Sequence, residues 1–542
     1  MEAPKESDLP LPPEIVTLIC SSLSKPDLLR LRLTCHKLND VATPFAFGAF
    51  YLRAYGDSPK NFTAIAKSVH LRGYVREITV DTNVGPGFEY ESYNTYPFPH
   101  GFFNALPYLR CFTKATRLHL RFNEYSGSEE TEFGDDVVEK WPFRYRILDT
   151  VFHCVTGLWT NSRQVEIDST ASLEAFEPEY SDNESDFVPG YVIQLEELTI
   201  SNLGEYNDPD LASSIAWHKL LSLPSLKDLK LLITMEKAWT RDNYMLYTEK
   251  YEFFQTLPSN WLSPSLTDNL RDLSLYYADY WGWFPRMNLY DLSSLPQLKV
   301  LALGNFVFSD ERQTDWIATV GHNNGSGGLE ELYLDDCSIL FEATQVVPLT
   351  GDKYPVSETF IRAMERDNFD GDITFYSMRW HHVLSTWREK MKGLKTFIMS
   401  HSDWEAIHEW QYACRKRTCT AIMRQEECSH LTEDELNQRA CHNTHRLFNA
   451  PAKDRILQLY EPESADKYID GAGMLLRRAT QMQYIRYELG LEGTPWEVCR
   501  TLRHGEPDEA FAPEDETIEK DDAAYELLMA TIQNRNSGKG MV

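Results

Sequence analysis

The sequence predicts an α/β protein with a short three-helix module at the N-terminus, a solenoid of parallel strands in the middle and a helical cap at the C-terminus. Two observations support this prediction. Apolar residues recur at helical spacing through residues 11–42, and a strand pattern with three apolar positions then recurs eight times. The predicted domains are residues 1–55, 56–402 and 403–542.

Three short helices are predicted in the N-terminal module. Pro12 and Pro13 suit the start of the first helix, Ser24 and Asp27 have the spacing of a capping box at the start of the second, and residues 35–42 form the third. Domains below about 40 residues usually need a metal, disulfides or a partner. The module has only Cys20 and Cys35, which are too few for a metal site or a disulfide framework, so we expect a partner. The apolar positions of the first helix are Ile15, Leu18, Ile19 and Leu23.

The order of residues in this module resembles the F-box. The resemblance implies a helical module whose apolar face docks on a Skp-type adaptor, and through it on a cullin, in a ubiquitin ligase. Thr34 and Leu38 depart from the family pattern, in which Val and Trp are common. The alternative is an ordinary helical hairpin that packs on the rest of the chain. By position, the adaptor-facing residues would be Leu11, Pro12, Ile15, Ile19, Leu23, Leu28, Leu31 and Cys35.

Composition argues against several classes of protein. The net charge of −29 disfavours binding to nucleic acid or anionic membranes. No apolar run approaches the ~18 residues of a membrane span, and the N-terminus lacks a secretory signal pattern. We therefore expect a soluble protein of the cytosol or nucleus, with its ten cysteines reduced.

Two acidic segments, residues 174–186 and 506–522, contain few large apolar residues. This composition predicts flexible loops or tails in contact with solvent. The alternative is a contact surface for a basic partner.

The pattern L-x-x-L-x-L follows the N-terminal module. Apolar residues two apart point inward from a short strand. In the clearest copy, LEELYLDDCSI, Cys337 and Ile339 occupy the ninth and eleventh positions of a leucine-rich repeat. The eight copies begin at Val75, Ala115, Leu195, Leu226, Leu270, Leu298, Leu329 and Leu394.

Segments between the strands carry apolar residues at helical spacing, which predicts crossover helices. Parallel strands on a concave face and helices on a convex face form a leucine-rich solenoid. This pattern is similar to that of fungal F-box proteins with degenerate leucine-rich repeats. From residue 403 the repeat is lost, and we predict a helical cap with an acidic tail. The predicted crossover helices are residues 101–114, 147–159, 211–223 and 247–257, and the C-terminal helices are residues 403–449, 479–491 and 523–532.

Catalytic and metal-binding motifs are incomplete. His408 and Glu409 begin an HExxH zinc motif, but Tyr412 occupies the second ligand position. The glycine-rich residues 321–328 lack the Lys of a phosphate loop. Cysteines and histidines cluster in residues 414–445, where core cysteines and surface histidines are the favoured interpretation over a zinc site. We expect no cofactor, no metal and no enzymatic activity.

The aromatic stretch at residues 276–290 is predicted to be a loop that leaves the concave end of a repeat. On the neighbouring concave face, aromatic and acidic residues would bind a target segment that is basic and carries one or two apolar residues. The alternative is that Trp281, Trp283 and Phe284 fold back as a plug over an irregular repeat. The candidate target-binding residues are Tyr276, Tyr277, Asn305, Tyr333, Asp335, Asp336 and His401.

Two classes of function follow from these patterns. The favoured one is the substrate receptor of an SCF-type (cullin-RING) ubiquitin ligase, with the adaptor on the F-box and the target on the repeats. The alternative is a leucine-rich interaction scaffold without a ligase role, in which the N-terminal helices only cap the solenoid. An enzyme ranks third, because no catalytic motif is complete.

Overall fold

The computed structural model describes residues 11–82, 100–122, 126–127, 139–171, 190–234, 248–335, 337–345, 349–355, 372–400, 482–488, 497–500 and 516–538. They belong to two compact units. Unit 1 contains Met1–Arg121 and Arg146–Leu198, and unit 2 contains Phe122–Tyr145 and Thr199–Val542.

Unit 1 begins with three short helices and continues with strands and helices in alternation. Its strands are β1 (Ala49–Arg53), β2 (Glu77–Asp81) and β3 (Arg117–Arg121). Its helices are α1 (Pro13–Ser22), α2 (Lys25–Leu31), α3 (His36–Ala46), α4 (Ser58–Lys67), α5 (Val69–Arg72), α6 (His100–Ala105), the 3₁₀ helix Leu106–Cys111, α8 (Asn161–Thr170) and most of α7 (Trp141–Val155).

The three N-terminal helices lie where the sequence predicts them. Pro13 is the first residue of α1, and the side chain of Ser24 caps α2 by accepting a hydrogen bond from the backbone N–H of Asp27. Helix α3 continues four residues beyond the predicted end at residue 42 and contains Pro44.

Unit 2 contains the remaining strands and helices, and β6 enters it from unit 1. Its strands are β4 (Ser126–Gly127), β5 (Glu139–Lys140), β6 (Glu197–Gly204), β7 (Asp228–Thr234), β8 (Asp272–Trp281), β9 (Val300–Phe308), β10 (Glu331–Asp335), β11 (Ser338–Gln345), β12 (Asp372–Phe375), β13 (Thr396–Ser400), β14 (Gln483–Glu488) and β15 (Glu497–Arg500). Its helices are α9 (Pro209–Ala212), α10 (Ile215–Leu221), α11 (Thr248–Asn260), α12 (Pro264–Thr267), the 3₁₀ helix Leu289–Asp291, α13 (Glu311–Thr319), α14 (Trp380–Lys390) and α15 (Thr517–Asn536).

Each of the eight L-x-x-L-x-L copies forms a strand, and all of these strands other than β6 have parallel pairings that are described here. In unit 1, β1, β2 and β3 are neighbours; in unit 2, β7, β8, β9, β10 and β13 follow one another. Leucines of the pattern stand in register, as Leu273 does beside Leu301, and both are fully buried. The four predicted crossover segments also contain helices, namely α6, α7, α9 with α10, and α11.

A repeated hydrogen-bond pattern aligns the starts of β8, β9, β10 and β13 in unit 2. The backbone carbonyl just before one strand accepts a hydrogen bond from the backbone N–H just before the next strand. The N–H of Arg271 donates to the carbonyl of Lys227, and the N–H of Lys299 donates to the carbonyl of Arg271. In the same way, Glu330 donates to Lys299 and Lys395 donates to Glu330, with N···O distances of 2.7–2.8 Å. We call this row of backbone bonds the ladder. Successive steps span 28, 31 and 65 residues from Arg271 onward, so the pairing is the same whatever the length of the connection.

The C-terminal helix α15 packs on α14 and clamps both of its ends. Oδ1 of Asp521 accepts from the backbone N–H and from Nδ1 of His381 at the start of α14, both at 2.8 Å. Arg535 donates to the carbonyls of Met391 and Arg388 at the other end. Asn536 donates through Nδ2 to the carbonyl of Lys395 at 2.8 Å, and thereby adds a side-chain bond at the end of the ladder.

The predicted helix at residues 523–532 is confirmed, but two other C-terminal predictions are wrong. Residues 479–491 contain the strand β14, which pairs in parallel with β11 and buries Tyr484 and Ile485. The acidic segment 506–522 is not wholly exposed, since α15 begins at Thr517 and Asp521 is buried. The predicted helix at residues 403–449, the cysteine and histidine cluster at 414–445 and the acidic segment 174–186 lie outside the described residues.

The aromatic stretch at residues 276–290 is not a loop throughout, because β8 extends to Trp281. Trp281 and Trp283 are fully buried, and Phe284 is buried with them. Nε1 of Trp283 donates to the hydroxyl of Tyr376 at 3.1 Å within an aromatic cluster. The structure agrees with the plug interpretation of these three side chains.

We expect Asp521→Ala to release α15 from α14, because His381 and Tyr484 then lose the carboxylate that accepts their hydrogen bonds. The free energy of unfolding should fall by about 1–3 kcal/mol, as for other buried donors left unsatisfied. Hydrogen exchange should increase across Thr517–Asn536. The matched control is Asp522→Ala, which changes an exposed neighbour; equal exchange in the two variants would contradict the clamp.

Candidate functional site

Helix α1 carries apolar side chains on two faces. Val16 and Cys20 are buried, whereas Ile15, Leu18 and Ile19 are 44%, 65% and 43% exposed. Residues three and four apart share one side of a helix, so the three exposed side chains are neighbours on one face. An amphipathic helix of a self-contained domain would place polar residues there.

The exposed apolar residues continue beyond α1. Seven of the fifteen large apolar side chains that are exposed in the described part of the chain lie between Leu11 and Phe45. We call these seven residues the apolar set. Its members are Leu11, Ile15, Leu18, Ile19, Leu29, Leu33 and Phe45.

The inner faces of α1, α2 and α3 are packed without any partner. Val16, Cys20 and Leu28 share a core with Ala42 and Ala46 of α3 and with Phe47, the residue that follows α3. Side chains from the rest of unit 1 pack against this core, namely Phe50, Ile65, Leu71 and Tyr74.

Two cationic side chains also tie the helices in place. Nζ of Lys25 donates to the carbonyl of Ala49 at 3.1 Å and lies 5.0 Å from the ring of Phe50. Arg32 donates to the hydroxyl of Thr43 at 2.8 Å and lies over the ring of Phe47. These contacts hold the backbone that presents the apolar set.

The electrostatics of the module are mild. The hydroxyl of Ser24 and the guanidinium of Arg30 donate to Asp27, and these bonds lower the pKa of that carboxyl. Burial raises the pKa of the Cys20 thiol, which therefore stays neutral. The module thus offers an apolar contact surface, and its one buried thiol belongs to the core.

The structure sorts the predicted adaptor-facing residues into three groups. The prediction that Leu28 faces outward to the adaptor is wrong, because it lies in the core between the helices. Three further apolar residues, Leu18, Leu29 and Leu33, are exposed but absent from the predicted list; helical spacing from Ile15 could have added Leu18. Of the two departures from the family pattern, Leu38 packs against the core and Thr34 donates to the carbonyl of Leu31. The exposed members of the predicted list are Leu11, Pro12, Ile15, Ile19 and Cys35, and the half-buried members are Leu23 and Leu31.

The residues predicted to bind a target are mostly in the interior. Tyr276 and Tyr333 pack with Leu232 and Ala302 in one apolar cluster, and the ring of Tyr276 occupies the space beside Gly304 where a Cβ would stand. Their role in target binding stays a prediction. The buried members of that list are Tyr276, Tyr277, Asn305, Tyr333 and Asp335, whereas Asp336 and His401 lie outside the described residues.

Polar contacts fix two of these buried residues. Nδ2 of Asn305 donates to the carbonyl of Tyr277 at 2.9 Å, and the hydroxyl of Tyr277 donates to the carboxylate of Glu205. Asn305 has a positive φ of 58°, a conformation that asparagine tolerates better than most residues. These bonds are part of the packing around β8 and β9.

No helix among the described residues combines the length and apolar character needed to cross a membrane. Within the same ranges, His, Cys, Asp and Glu form no group of three or more that could hold a metal ion.

Residues 9–46 match the family model described as F-box-like. The match covers α1, α2 and α3 and ends with the last residue of α3. A comparison with curated proteins found no match. An F-box-like domain therefore forms the helical N-terminus of this mixed α/β chain.

The two faces of the helical module predict different results for Leu28→Ala and Leu18→Ala. The first should lower the free energy of unfolding by about 2–5 kcal/mol, because it opens a cavity in the core. The second should change it by less than about 0.5 kcal/mol, because its side chain is exposed. Chemical denaturation of both variants checks this, and similar losses would show that Leu18 is also part of the core.

Proposed function

We propose that this chain is the substrate-recognition subunit of an SCF-type (cullin-RING) ubiquitin ligase. The observation that carries the proposal is the apolar set on an F-box-like domain whose inner face is already packed. F-box-like domains generally bind Skp-type adaptors. The exposed face of α1 would be the adaptor contact, and the adaptor would connect the chain to a cullin.

The exposed side chains support a contact of useful strength. Fully burying a Leu or Ile side chain contributes about 1.5–3 kcal/mol. Ile15, Leu18 and Ile19 are each about half exposed or more, so covering them together would contribute several of the kcal/mol needed to offset the entropy of association. Their backbone is held by α2 and α3, which reduces the ordering cost on binding.

The remainder of the chain would hold the target. The ladder and the parallel pairing of β7, β8, β9, β10 and β13 support a leucine-rich solenoid. In this role the chain performs no chemistry; it raises the rate of ubiquitin transfer by bringing target lysines near a charged enzyme. The proposed location is cytosol or nucleus, where cysteine thiols stay reduced.

One observation favours the alternative of an interaction scaffold without a ligase role. The core of α1, α2 and α3 includes contacts from Phe50, Ile65 and Leu71, as expected of helices that cap the start of a sheet. Purification of the wild-type chain from its native cell distinguishes the two functions. A co-purified Skp-type adaptor supports the receptor, and its absence supports the scaffold.

We expect the triple variant Ile15→Ser, Leu18→Ser and Ile19→Ser to lose adaptor binding by at least about 100-fold, because three central apolar contacts are removed. Titration of purified adaptor against the full-length chain provides the measurement. The control is Ile215→Ser, which changes a side chain that is 74% exposed in unit 2. The control should bind the adaptor as the wild type does.

The melting temperature of the triple variant should stay close to that of the wild type, since its changes are on an exposed face. Retained adaptor binding with a normal melting temperature would refute the receptor proposal. If the wild type also fails to bind any Skp-type adaptor, the scaffold becomes the better explanation.

A further inference from the structure

Three segments of unit 2 bring two arginines to one carboxylate. Arg286 follows β8, Arg312 lies in the first turn of α13, and Asp352 lies in the turn at residues 349–355. Nη2 of Arg286 is 3.9 Å from Oδ2 of Asp352, and Nη2 of Arg312 is 3.2 Å from Oδ1. Each oxygen of Asp352 therefore faces a different guanidinium.

Aromatic rings hold both guanidinium groups in position. The central carbon of Arg286 lies 4.3 Å from the ring centroid of Tyr354, and that of Arg312 lies 4.5 Å from the ring centroid of Tyr290. Cation–π contacts of this kind orient a planar guanidinium without using all its N–H donors. The two cationic groups are thus arranged before a partner arrives.

The turn that carries Asp352 is anchored by its next residue. The carbonyl of Lys353 accepts from Nε1 of Trp283 at 3.0 Å and from the hydroxyl of Tyr376 at 2.8 Å. Lys353 also has a positive φ of 62°. These bonds to its neighbour help to fix the position of Asp352, which itself accepts one hydrogen bond from Arg312 at 3.2 Å and has only the longer 3.9 Å contact with Arg286.

Several donors at this place have no acceptor within the described part of the chain. The 3.9 Å contact of Arg286 with Asp352 is too long for a hydrogen bond, and Arg286 makes no other side-chain hydrogen bond there. The hydroxyl of Tyr290 is buried and likewise lacks a partner among the described residues. Burial raises the pKa of Tyr290, and the charge of Arg312, whose guanidinium lies over the Tyr290 ring, opposes that rise.

Asp310 leaves part of Arg312 available. Burial raises the pKa of Asp310, but hydrogen bonds from Arg312 outweigh burial and lower it overall, so this carboxylate is ionised and firmly paired. Asp310 also caps α13, which fixes it on one side of the guanidinium. Asp352, by contrast, is 51% exposed, and an ion pair as exposed as this one contributes little to stability.

We propose that Arg286 and Arg312 form a binding site for an oxyanion carried by an acidic partner peptide, and that Asp352 occupies this site in the free chain. A phosphoryl group or a carboxylate can accept paired N–H bonds from a guanidinium, and it would bring a more complete set of acceptors than Asp352 does. A net charge of −29 makes nonspecific binding of anions unfavourable, so binding here must come from local geometry. The inference goes beyond the proposed function and does not depend on the apolar set.

The test uses the full chain and three labelled pentapeptides, in which a central phosphoserine, aspartate or serine is flanked by glycines. Asp352→Asn should tighten binding of the phosphoserine or the aspartate peptide by about tenfold, because it removes the internal competitor. Adding Arg286→Gln to that variant should abolish the gain. The matched control adds Arg271→Gln instead, which removes the same charge at an exposed site at the start of β8, and it should keep the gain.

Fluorescence anisotropy at low ionic strength measures these affinities, and Asp352→Ala repeats the test without an amide that could hydrogen-bond to Arg312. Equal binding of the serine peptide, or no effect of Arg286→Gln, overturns the site. Inorganic phosphate that competes as tightly as the phosphoserine peptide binds would assign the site to a free anion and overturn the peptide partner. Adaptor binding should be unchanged by Arg286→Gln, so failure here and failure of the receptor proposal are separate results.

Discussion

The ladder of backbone hydrogen bonds at the starts of β8, β9, β10 and β13 is the constraint on which the rest of the structure depends. Each carbonyl in the row satisfies N–H groups of the next strand, as that of Lys299 does for Glu330 and Glu331. Buried backbone groups need such partners. Because β8, β9, β10 and β13 all begin at this row, the leucines that follow it fall into register, as Leu273 does beside Leu301.

The same constraint explains the two ends of the described structure. At the start of unit 1, the carbonyl of Gly48 accepts from Arg76 and Glu77, and a Cβ at Gly48 would lie only 2.8 Å from the carbonyl oxygen of Pro44. The glycine lets α3 end tightly against β1, so the F-box-like helices share a core with the first repeat. In unit 2, Asn536 supplies a side-chain amide where a further strand would supply its backbone.

Much of this arrangement could be predicted from the sequence, because strand spacing and helix caps are local signals. The positions of the eight strands and of α1 and α2 follow from apolar spacing and from Ser24. The burial of Tyr276 and Tyr333 could not be predicted in that way, since parallel strands are often covered on both faces and the alternation of residues does not show which face meets solvent. Leu28 was misplaced for a related reason, because α1 and α2 have apolar residues on both sides. The strand β14 was missed because Tyr484, Ile485 and Tyr487 fit a helix or a strand equally well over so short a segment.

The clamp by α15 has a consequence for the order of folding. The bonds of Asp521 to His381 and of Asn536 to Lys395 join residues that are 140 and 141 positions apart in the chain. Contacts between residues so far apart carry a larger loop-closure entropy than contacts between nearer residues. The steps of the ladder from Arg271 onward join residues only 28 to 65 positions apart. The strands of the ladder can therefore pair first, and α15 then closes on strands that are already in register.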